Sequence, residues 1–547
     1  MTFASRSTSR ILVAVSVGAI IALFALPRGG IALAHPTRTS AQTLTAAFAE
    51  NFSTLDPAIG YDAFSWTGEH AIFNGLLAYR NAPGRSGTKL IPDIASSMPA
   101  ISKDGLFYTF HLRHDVHFAP PLRSLVTATD FKYSIERALS PHTTGAAMFK
   151  SAFWSPLAGV SAFWAKKAPH IKGIKVLNRF AIQFHLTSPD LAFLNVIAMP
   201  FADVVSQSWV HKEGKKFAVN PVGTGPYQLS YWHQNVNMLL VKNPLYYHRG
   251  LPHVPQVKID FNVNQDLQVE RAQLGQLDLP GDFVSSAEYL KLRNNAQYKS
   301  QLVTAPDIAI RYLAMNMQMS PFKGNLALRQ AINMAIDKTH ILTELDGRGV
   351  AMNGVLPPTM PGANPHFTYY AHNISKAKAL VKKAHLKSGL TIPLLYDNSN
   401  SDYGIVVDAV ISQLKQIGLT VTPRPVSDQS YYSLVYTPGK SAFSLGVWGE
   451  DYPDPSDFFD PILSCSASSN AAFFCNHAVD RLGNKARADR NPTSRFAIYR
   501  KMERMVMAQA PWAPIYDDEE IDFRGAAVKG FFIHPVWPFS YDQYQLK

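Results

Sequence analysis

The sequence predicts an α/β protein of two or three domains, and three observations lead to that prediction. Segments with the period of strands alternate with segments with the period of helices along the chain, which favours an α/β architecture. The composition, with 47% hydrophobic and 17% charged residues, is typical of a folded chain with a large core. The length of 547 residues exceeds what one hydrophobic core usually supports.

The first 34 residues predict a secretory signal peptide. Arg6 and Arg10 precede an apolar run, residues 11–26, and Ala32-Leu33-Ala34 supplies a small-residue cleavage site, so we expect cleavage after Ala34. The run is shorter than the roughly 20 residues that a membrane-spanning helix needs, and an uncleaved anchor is the alternative. We therefore expect a periplasmic or secreted protein.

The elements of the first half follow from local patterns. Residues 43–48 predict a strand. Residues 89–112 predict a strand pair that turns at Lys103-Asp104-Gly105, and residues 171–186 predict a hairpin that turns at Asn178-Arg179. Between them, Thr129 is expected to cap a helix that runs from Asp130 to about Leu139.

The second half continues the alternation to the end of the chain. We expect strands at 238–241, 256–261, 310–315, 391–396 and 419–421, and helices at 266–274, 325–345, 375–384 and 403–417. No repeat of 20 to 50 residues is visible, which argues against a solenoid.

The segment 443–460 is the most informative one for function. An apolar strand, residues 443–448, stops at Pro-rich turns and at five acidic residues, which are Glu450, Asp451, Asp454, Asp457 and Asp460. Asp454-Pro455 predicts a helix N-cap, and Asp457 falls at the third helical position. Glu450 and Asp451 are left at a strand end, where a cationic group of a ligand could meet them. The alternative is that all five acids cap turns or face water.

Searches for catalytic, metal and nucleic-acid signatures predict none of these functions. Ser320-Pro321-Phe322-Lys323 fits a serine acylase pattern, but its partner motifs are absent. His111, His114 and His117 are three apart on a predicted strand, so His114 faces away from the other two. We expect no metal and no cofactor. The net charge of +12 comes without a Lys/Arg run, so we expect no nucleic-acid partner.

Residues 448–455 are similar to the W-x-x-D-Y-x-D/E-P region of the family 5 solute-binding proteins, the peptide, dipeptide and nickel receptors of ABC importers. The resemblance extends over most of the chain in family order. Its other segments are S-T-L-D-P at 53–57, F-N-G-L-L at 73–77, K-D-G-L-F-Y-T-F-H-L-R at 103–113, T-A-T-D-F at 127–131, P-V-G-T-G-P-Y at 221–227, R-Q-A-I-N-M-A-I-D at 329–337 and L-P-P at 356–358.

The resemblance implies a two-lobed periplasmic-binding-protein fold of the large type II class, with an additional inserted α+β domain and two strands that cross between the lobes. Carried onto this sequence, it places the domain boundaries as follows: the first lobe at 42–76, 205–305 and 518–547, the inserted domain at 77–204, and the second lobe at 306–517.

The resemblance also implies a function, which is not enzymatic. We expect the extracytoplasmic substrate-binding component of an ABC importer, a monomer that delivers a peptide or similar amine-bearing solute to the transmembrane subunits of a permease. Asp451 matches the aspartate that pairs with the ligand's α-ammonium group. The strand before it is expected to bind the peptide main chain. The expected ligand-binding residues are Gly446, Val447, Trp448, Glu450, Asp451, Tyr452 and Asn398.

Cys465 and Cys475 match the disulfide of the dipeptide-binding branch of the family. A secreted chain with only two cysteines agrees with that pairing. Lipid-anchored relatives carry a cysteine immediately after the signal sequence, and none follows Ala34 here. We therefore expect no lipid anchor.

The sequence departs from the peptide receptors at the cations that hold a ligand's carboxylate. Residues 397–402 contain none, and Leu445 stands where oligopeptide receptors can place an arginine. The ligand is then longer than a dipeptide, or lacks a free carboxylate, or is not a peptide. The alternatives are the same fold with a non-peptide solute, such as a metal chelate or oligosaccharide, and a secreted hydrolase.

Overall fold

A computed structural model describes residues 43–146, 149–150, 153–537 and 539–547. The predicted signal peptide lies outside these residues. Within them, no helix has both the length and the apolar character required to cross a membrane.

The strands alternate with helices, as the sequence predicts. They are β1 Thr43–Ala47, β2 Leu77–Tyr79, β3 Leu90–Pro92, β4 Ala100–Ile101, β5 Phe107–His111, β6 Ile174–Asn178, β7 Ala181–His185, β8 Tyr227–His233, β9 Asn237–Lys242, β10 Gln256–Asp260, β11 Leu279–Pro280, β12 Leu302–Pro306, β13 Ala309–Met315, β14 Val350–Ala351, β15 Thr391–Asp397, β16 Thr420–Val426, β17 Phe443–Gly449, β18 Trp512–Asp517, β19 Glu519–Phe523, β20 Val528–Lys529 and β21 Gln545–Leu546.

The α-helices are Ala63–Ile72, Ala128–Ala138, Val160–Trp164, Phe193–Ile197, Gln207–Glu213, Gln265–Gln273, Ser286–Arg293, Leu326–Ala335, Lys338–Glu344, Ile374–Lys383, Ser401–Gln416, Asp428–Val435, Asp460–Leu463, His477–Ala488 and Pro492–Gln509. Short 3₁₀ helices lie at Gly84–Ser86, Pro200–Ala202, Gly214–Ala218, Lys299–Gln301, Pro455–Phe458 and Tyr541–Gln543.

Two sheets form the first part of the molecule. A five-stranded sheet has the order β11-β1-β10-β9-β8, with β1 parallel to β10 and β11. We call the region around it the first lobe. A four-stranded antiparallel sheet has the order β4-β5-β7-β6 and comes from the chain between β1 and β8. One hydrophobic cluster continues through both sheets, so the inserted segment shares its core with the first lobe.

The second lobe surrounds a six-stranded sheet of order β14-β18-β13-β17-β15-β16. Both faces of this sheet are buried. Along β13, Ile310 and Tyr312 belong to one hydrophobic cluster, whereas Leu313 and Met315 belong to another. This alternation is the period of two expected for a central strand.

Two strands cross between the lobes. β12 leaves the first lobe and leads into β13, and β19 follows β18 and leads back. The two strands pair antiparallel, from Leu302 opposite Phe523 to Pro306 opposite Glu519. These two strands match the pair that the resemblance places between the lobes.

Two predicted elements are wrong in detail. The helix expected at 325–345 is two helices, because the Asp337 side chain accepts a hydrogen bond from the backbone N–H of His340 at 3.1 Å and starts the second one. The helix expected to be capped by Thr129 is capped by Thr127, whose N–H and hydroxyl both donate to Asp130, at 2.8 and 2.7 Å. The predicted hairpins at 103–105 and 178–179 are present.

Candidate functional site

The predicted strand before the acidic cluster is β17, and one of its edges is only partly covered. On one side β13 pairs with its whole length, from Phe443 to Gly449. On the other side, among the described strands, β15 pairs only at Leu395 opposite Ser444. Beyond that point, the hydroxyl of Tyr431 donates to the carbonyl oxygen of Leu445 at 2.6 Å. The edge that continues toward Gly449 is therefore available for main-chain hydrogen bonds.

Gly446 lies in β17 opposite Tyr312, and only glycine fits there. A Cβ atom at this position would lie 2.6 Å from a carbon of the Tyr312 ring. That ring stacks on Trp512, with centroids 3.8 Å apart, and has no room to move away. Val447 is half-buried and pairs with Arg311.

Asp451 lies where the two lobes meet. Its carboxylate accepts a hydrogen bond from the hydroxyl of Tyr61, a first-lobe residue that precedes the helix Ala63–Ile72. The Tyr61 ring packs edge-on against Trp66, with centroids 5.7 Å apart. Residues 390 positions apart in the sequence thus form one contact across the cleft.

Asp457 holds the Asp451 loop in place. Its Oδ2 atom accepts hydrogen bonds from the backbone N–H of Asp451 at 2.9 Å and from the indole N–H of Trp448 at 3.3 Å. Asp457 is buried, so these bonds are shielded from water. Trp448 is half-buried and packs against the core of the second lobe. Trp448 therefore borders the Asp451 loop and also belongs to the packing of the second lobe.

Burial sets the charge of this pair of carboxyl groups. It raises the pKa of Asp451 to about 6, against the lowering effect of the Tyr61 hydrogen bond. Burial, and then the charge of Asp451, raise the pKa of Asp457 well above its usual range. Burial and the neighbouring Asp451 charge therefore both favour the protonated form of Asp457.

Three other predicted residues lie apart from Asp451. Glu450 faces a different space beside β19. Tyr452 is buried, its hydroxyl lies 3.3 Å from Ser456 Oγ, and its ring contacts Phe153, so its contacts are those of a core residue. Asn398 is exposed after β15, where its N–H donates to the carbonyl of Val426 at 2.9 Å. Among the described residues, no hydrogen bond joins Asn398 to the Asp451 loop.

The sequence did not predict the partners of the remaining acids. Asp454 caps the 3₁₀ helix Pro455–Phe458 by accepting from the N–H of Ser456 at 3.0 Å, as predicted. It also forms two hydrogen bonds of 2.7 Å with the guanidinium of Arg495, which is equally buried. Asp460 pairs with Arg487. No local pattern indicates either arginine, because each lies in a later helix.

The sulfur atoms of Cys465 and Cys475 lie 2.06 Å apart, which is the length of a disulfide bond. The imidazole of His477 is near both sulfurs. A disulfide between them would leave neither sulfur free to act as a thiolate ligand of a metal ion.

Comparison with known proteins gives a consistent result. Residues 89–470 match the model of the family described as bacterial extracellular solute-binding proteins, family 5 Middle. The chain is 25% identical to the glutathione-binding protein GsiB of Salmonella typhimurium over 523 residues, which are 93% of this chain and 95% of that protein. It is 28% identical over 504 residues to di/tripeptide-binding protein 4 of Pseudomonas aeruginosa, with 87% of this chain and 91% of that protein covered.

Solved structures share the fold. The clavulanic acid biosynthesis oligopeptide binding protein 2 superposes with a TM-score of 0.84 at 21% identity, covering 93% of this chain and 96% of that one. The binding protein DppA from Helicobacter pylori, in complex with the peptide STSA, superposes with a TM-score of 0.75 at 24% identity, covering 92% and 98%. These likenesses confirm the predicted two-lobed α/β fold.

Proposed function

The chain belongs to family 5 of the bacterial extracellular solute-binding proteins, and on that premise we propose that it is the substrate-binding component of an ABC importer that holds a peptide by its free amino end. The family is one of binding proteins, which removes the hydrolase alternative. Relatives named for glutathione and for di- and tripeptides support a peptide ligand.

The position of Asp451 carries this proposal. Its carboxylate lies at the contact between the lobes, is held by Asp457, and has no lysine or arginine partner among the described residues. An α-ammonium group that reached it would form a charge-assisted hydrogen bond in a largely dry place. The same ammonium would favour the ionised form of Asp451 and so lower its raised pKa.

The open edge of β17 supports a peptide rather than a lone amine. An extended chain beside Leu445 to Gly449 would add main-chain hydrogen bonds that do not depend on side chains. Residues 397–402 and Leu445 supply no cation, and Arg348, whose guanidinium lies 2.8 Å from Asp402, is already paired with that carboxylate. We therefore expect the carboxyl end of the peptide to be held weakly.

Capture is proposed to be a hinge motion at β12 and β19. A ligand that contacts Asp451 from one lobe and the Tyr61 region from the other favours the closed form by the difference in contacts between the two states. The partner is proposed to be the transmembrane permease, which receives the closed form of a monomer. Asn398 and the exact lobe boundaries remain part of this proposal.

The proposal also includes export of the protein from the cytoplasm. We propose cleavage after Ala34 and oxidation of the Cys465–Cys475 pair outside the cytoplasm. Amino-terminal sequencing of secreted protein and a thiol count after denaturation without reductant test both statements. A retained leader or two free thiols would contradict them.

A peptide panel in a calorimeter tests the ligand. Each peptide is supplied free, acetylated at the amino end, or amidated at the carboxyl end. We expect acetylation to cost at least about 1.5 kcal/mol of binding free energy, the low end for a charge-assisted hydrogen bond. Amidation should have little effect, and length tolerance should extend beyond two residues. If acetylated peptides bind and amidated ones do not, the peptide lies in the opposite direction, with its carboxyl end held by the protein. If no peptide binds, the ligand is a non-peptide solute.

A further inference from the structure

A cavity of about 300 Å³ lies at the junction of the two lobes and β19, and we call it the hinge cavity. From the first lobe it is lined by residues after β1, by the start of the helix Ala63–Ile72, by residues 534–537 and by Phe539. Asp307 and Glu450 line it from the second lobe, and Glu520 and Asp522 line it from β19. Its volume is within the range of small-ligand sites.

The lining of the hinge cavity is strongly acidic. It contains five carboxylates and neither lysine nor arginine, the five being Asp282, Asp307, Glu450, Glu520 and Asp522. His534 also lines it but is neutral. Its Nδ1 atom accepts from the N–H groups of Val536 and Trp537, at 3.1 and 3.0 Å. Burial lowers the pKa of His534 to about 4.

The five carboxylates differ in their partners. Asp282 accepts from the N–H of Ala49 at 2.6 Å, and Asp307 accepts from the N–H of Ile308 at 2.7 Å. Among the described residues, neither Glu520 nor Asp522 has a hydrogen-bond or ion-pair partner, although Asp522 is only 4% exposed. A buried carboxylate without a partner is costly, so Asp522, with the half-buried Glu520 beside it in the same lining, points to a bound cation.

Aromatic rings form much of the remaining wall. They are contributed by Phe48, Phe64, Phe283, Trp537 and Phe539. The Phe48 ring meets those of Phe64 and Phe539 edge-on, with centroids 5.9 Å apart in both cases. Aromatic faces attract organic cations and also bury an apolar stem. A bare metal ion would use the carboxylates alone, whereas an ammonium or guanidinium on a carbon chain would use both.

We propose that the hinge cavity binds a second cationic group of the ligand, an ammonium or guanidinium on an apolar stem, while Asp451 binds the first. This inference rests on the proposed function. Glu450 and Asp451 are consecutive, so the two cationic groups lie close together in the ligand. A peptide with a basic side chain in its first two residues has this chemistry, and so does a linear diamine.

The energetics of the two unpartnered groups agree. Burial raises the pKa of Asp522 to about 7 and that of Glu520 well above its usual range. A cation beside them would stabilise their ionised forms and recover the cost of burying them. Because the lining comes from both lobes, the same cation would also favour the closed form.

Matched peptides test the inference. One tripeptide carries arginine at its first or second residue and its pair carries citrulline, which has nearly the same shape without the charge. We expect calorimetry to give the arginine peptide about a tenfold lower Kd, the size of one charge-assisted contact with an aromatic wall. Replacement of both unpartnered acids, Asp522→Asn with Glu520→Gln, should reduce this preference to less than about threefold and leave citrulline binding unchanged.

Glu519→Gln is the matched control. Glu519 is adjacent in β19, points to the opposite face of the strand and does not line the hinge cavity, so the arginine preference should persist. Equal affinity of the wild-type protein for both peptides would overturn the inference and leave the proposed function intact, provided that acetylation still weakens binding.

Failure of all peptides would contradict the proposed peptide ligand instead. The comparison is then repeated with a linear diamine and the monoamine of the same chain length. A preference for the diamine that the double variant abolishes supports the hinge cavity as a cation site, and no preference overturns it. Thermal unfolding of each variant, measured alongside, separates loss of binding from loss of fold.

Discussion

Two buried aspartates of this protein have similar exposure and opposite electrostatics. Asp454 is 8% exposed and Asp522 is 4% exposed. Burial acts to raise the pKa of both, but at Asp454 the charge and hydrogen bonds of Arg495 outweigh burial and lower the pKa. At Asp522 no such partner exists among the described residues, and the pKa rises to about 7. Burial alone therefore does not distinguish a paired structural carboxylate from one that we propose to bind a ligand, whereas the presence of an internal cation does.

The largest effect on stability is expected at Asp454, the aspartate that is paired with an arginine. Arg495→Met would leave Asp454 buried beside Ser456 without a counter-charge. We expect the free energy of unfolding to fall by about 3–5 kcal/mol, the cost of breaking a buried pair by removing one partner. Urea denaturation measures it, with the exposed Arg481→Met as control. A loss below about 1 kcal/mol would mean that the pair with Arg495 contributes little to stability, as if Asp454 were an unpaired carboxylate.

The second prediction concerns Asp451, a carboxylate that has a hydroxyl partner and no cation of its own. Asp451→Asn should weaken peptide binding by about 2–5 kcal/mol, the range for truncating one member of a buried charge pair. The free energy of unfolding should not fall, because no internal ion pair is broken. Calorimetry with the exposed Asp408→Asn as control decides it. Unchanged affinity would leave Glu450 as the next candidate for the amine.

The third prediction compares the proposed disulfide between Cys465 and Cys475 with the ion pair of Asp454 in the same lobe. Cys465 and Cys475 close a short loop, with a sequence separation of 10. Replacing both with serine should lower the free energy of unfolding by about 3 kcal/mol, from the chain entropy that the loop removes. Peptide affinity should be unchanged. If urea denaturation shows no loss, the ion pairs of Asp454 and Asp460 are sufficient to hold this segment.

The smallest effect on stability is expected at Asp522, the aspartate without a cation partner among the described residues, and it depends on pH. Between about pH 4 and 7 the native Asp522 keeps a proton that the unfolded chain releases, so stability falls as pH rises through this range. Asp522→Asn removes that loss. The variant should be more stable than wild type at pH 8, with little difference near pH 4. Thermal unfolding at both pH values measures it, and a destabilised variant at pH 8 would mean an internal partner for Asp522.

The sequence predicted those features that depend on neighbours in the chain. The strand β17 and the Asp454 cap follow from alternation and from an Asp-Pro pair, so both were found. The break at Asp337 was missed because the apolar period continues across it, and only the cap reveals it. The resemblance indicated the two-lobed fold, which local patterns do not specify.

The site itself required the folded chain. Tyr61 reaches Asp451 across 390 positions, and Arg495 reaches Asp454 from a separate helix. The sequence drew attention to Glu450 as an acid without a capping role, but its neighbours in the hinge cavity come from β19, some 70 residues later. The topology of the chain therefore determines which acidic residues lie beside a cation and which lie beside other acidic residues.

β19 joins the two lobes, and it also carries Glu520 and Asp522. Rotation of one lobe on the other therefore changes the separation between these acids and those of Asp307 and Glu450. Without a cation, burial favours the neutral forms of Glu520 and Asp522, whereas a cationic solute favours their ionised forms and binds them, so a cationic solute favours closure more than a neutral one does. Under the proposed function, in which a permease receives the closed form, we expect the importer to hydrolyse more ATP with a cationic solute than with a neutral one of similar shape.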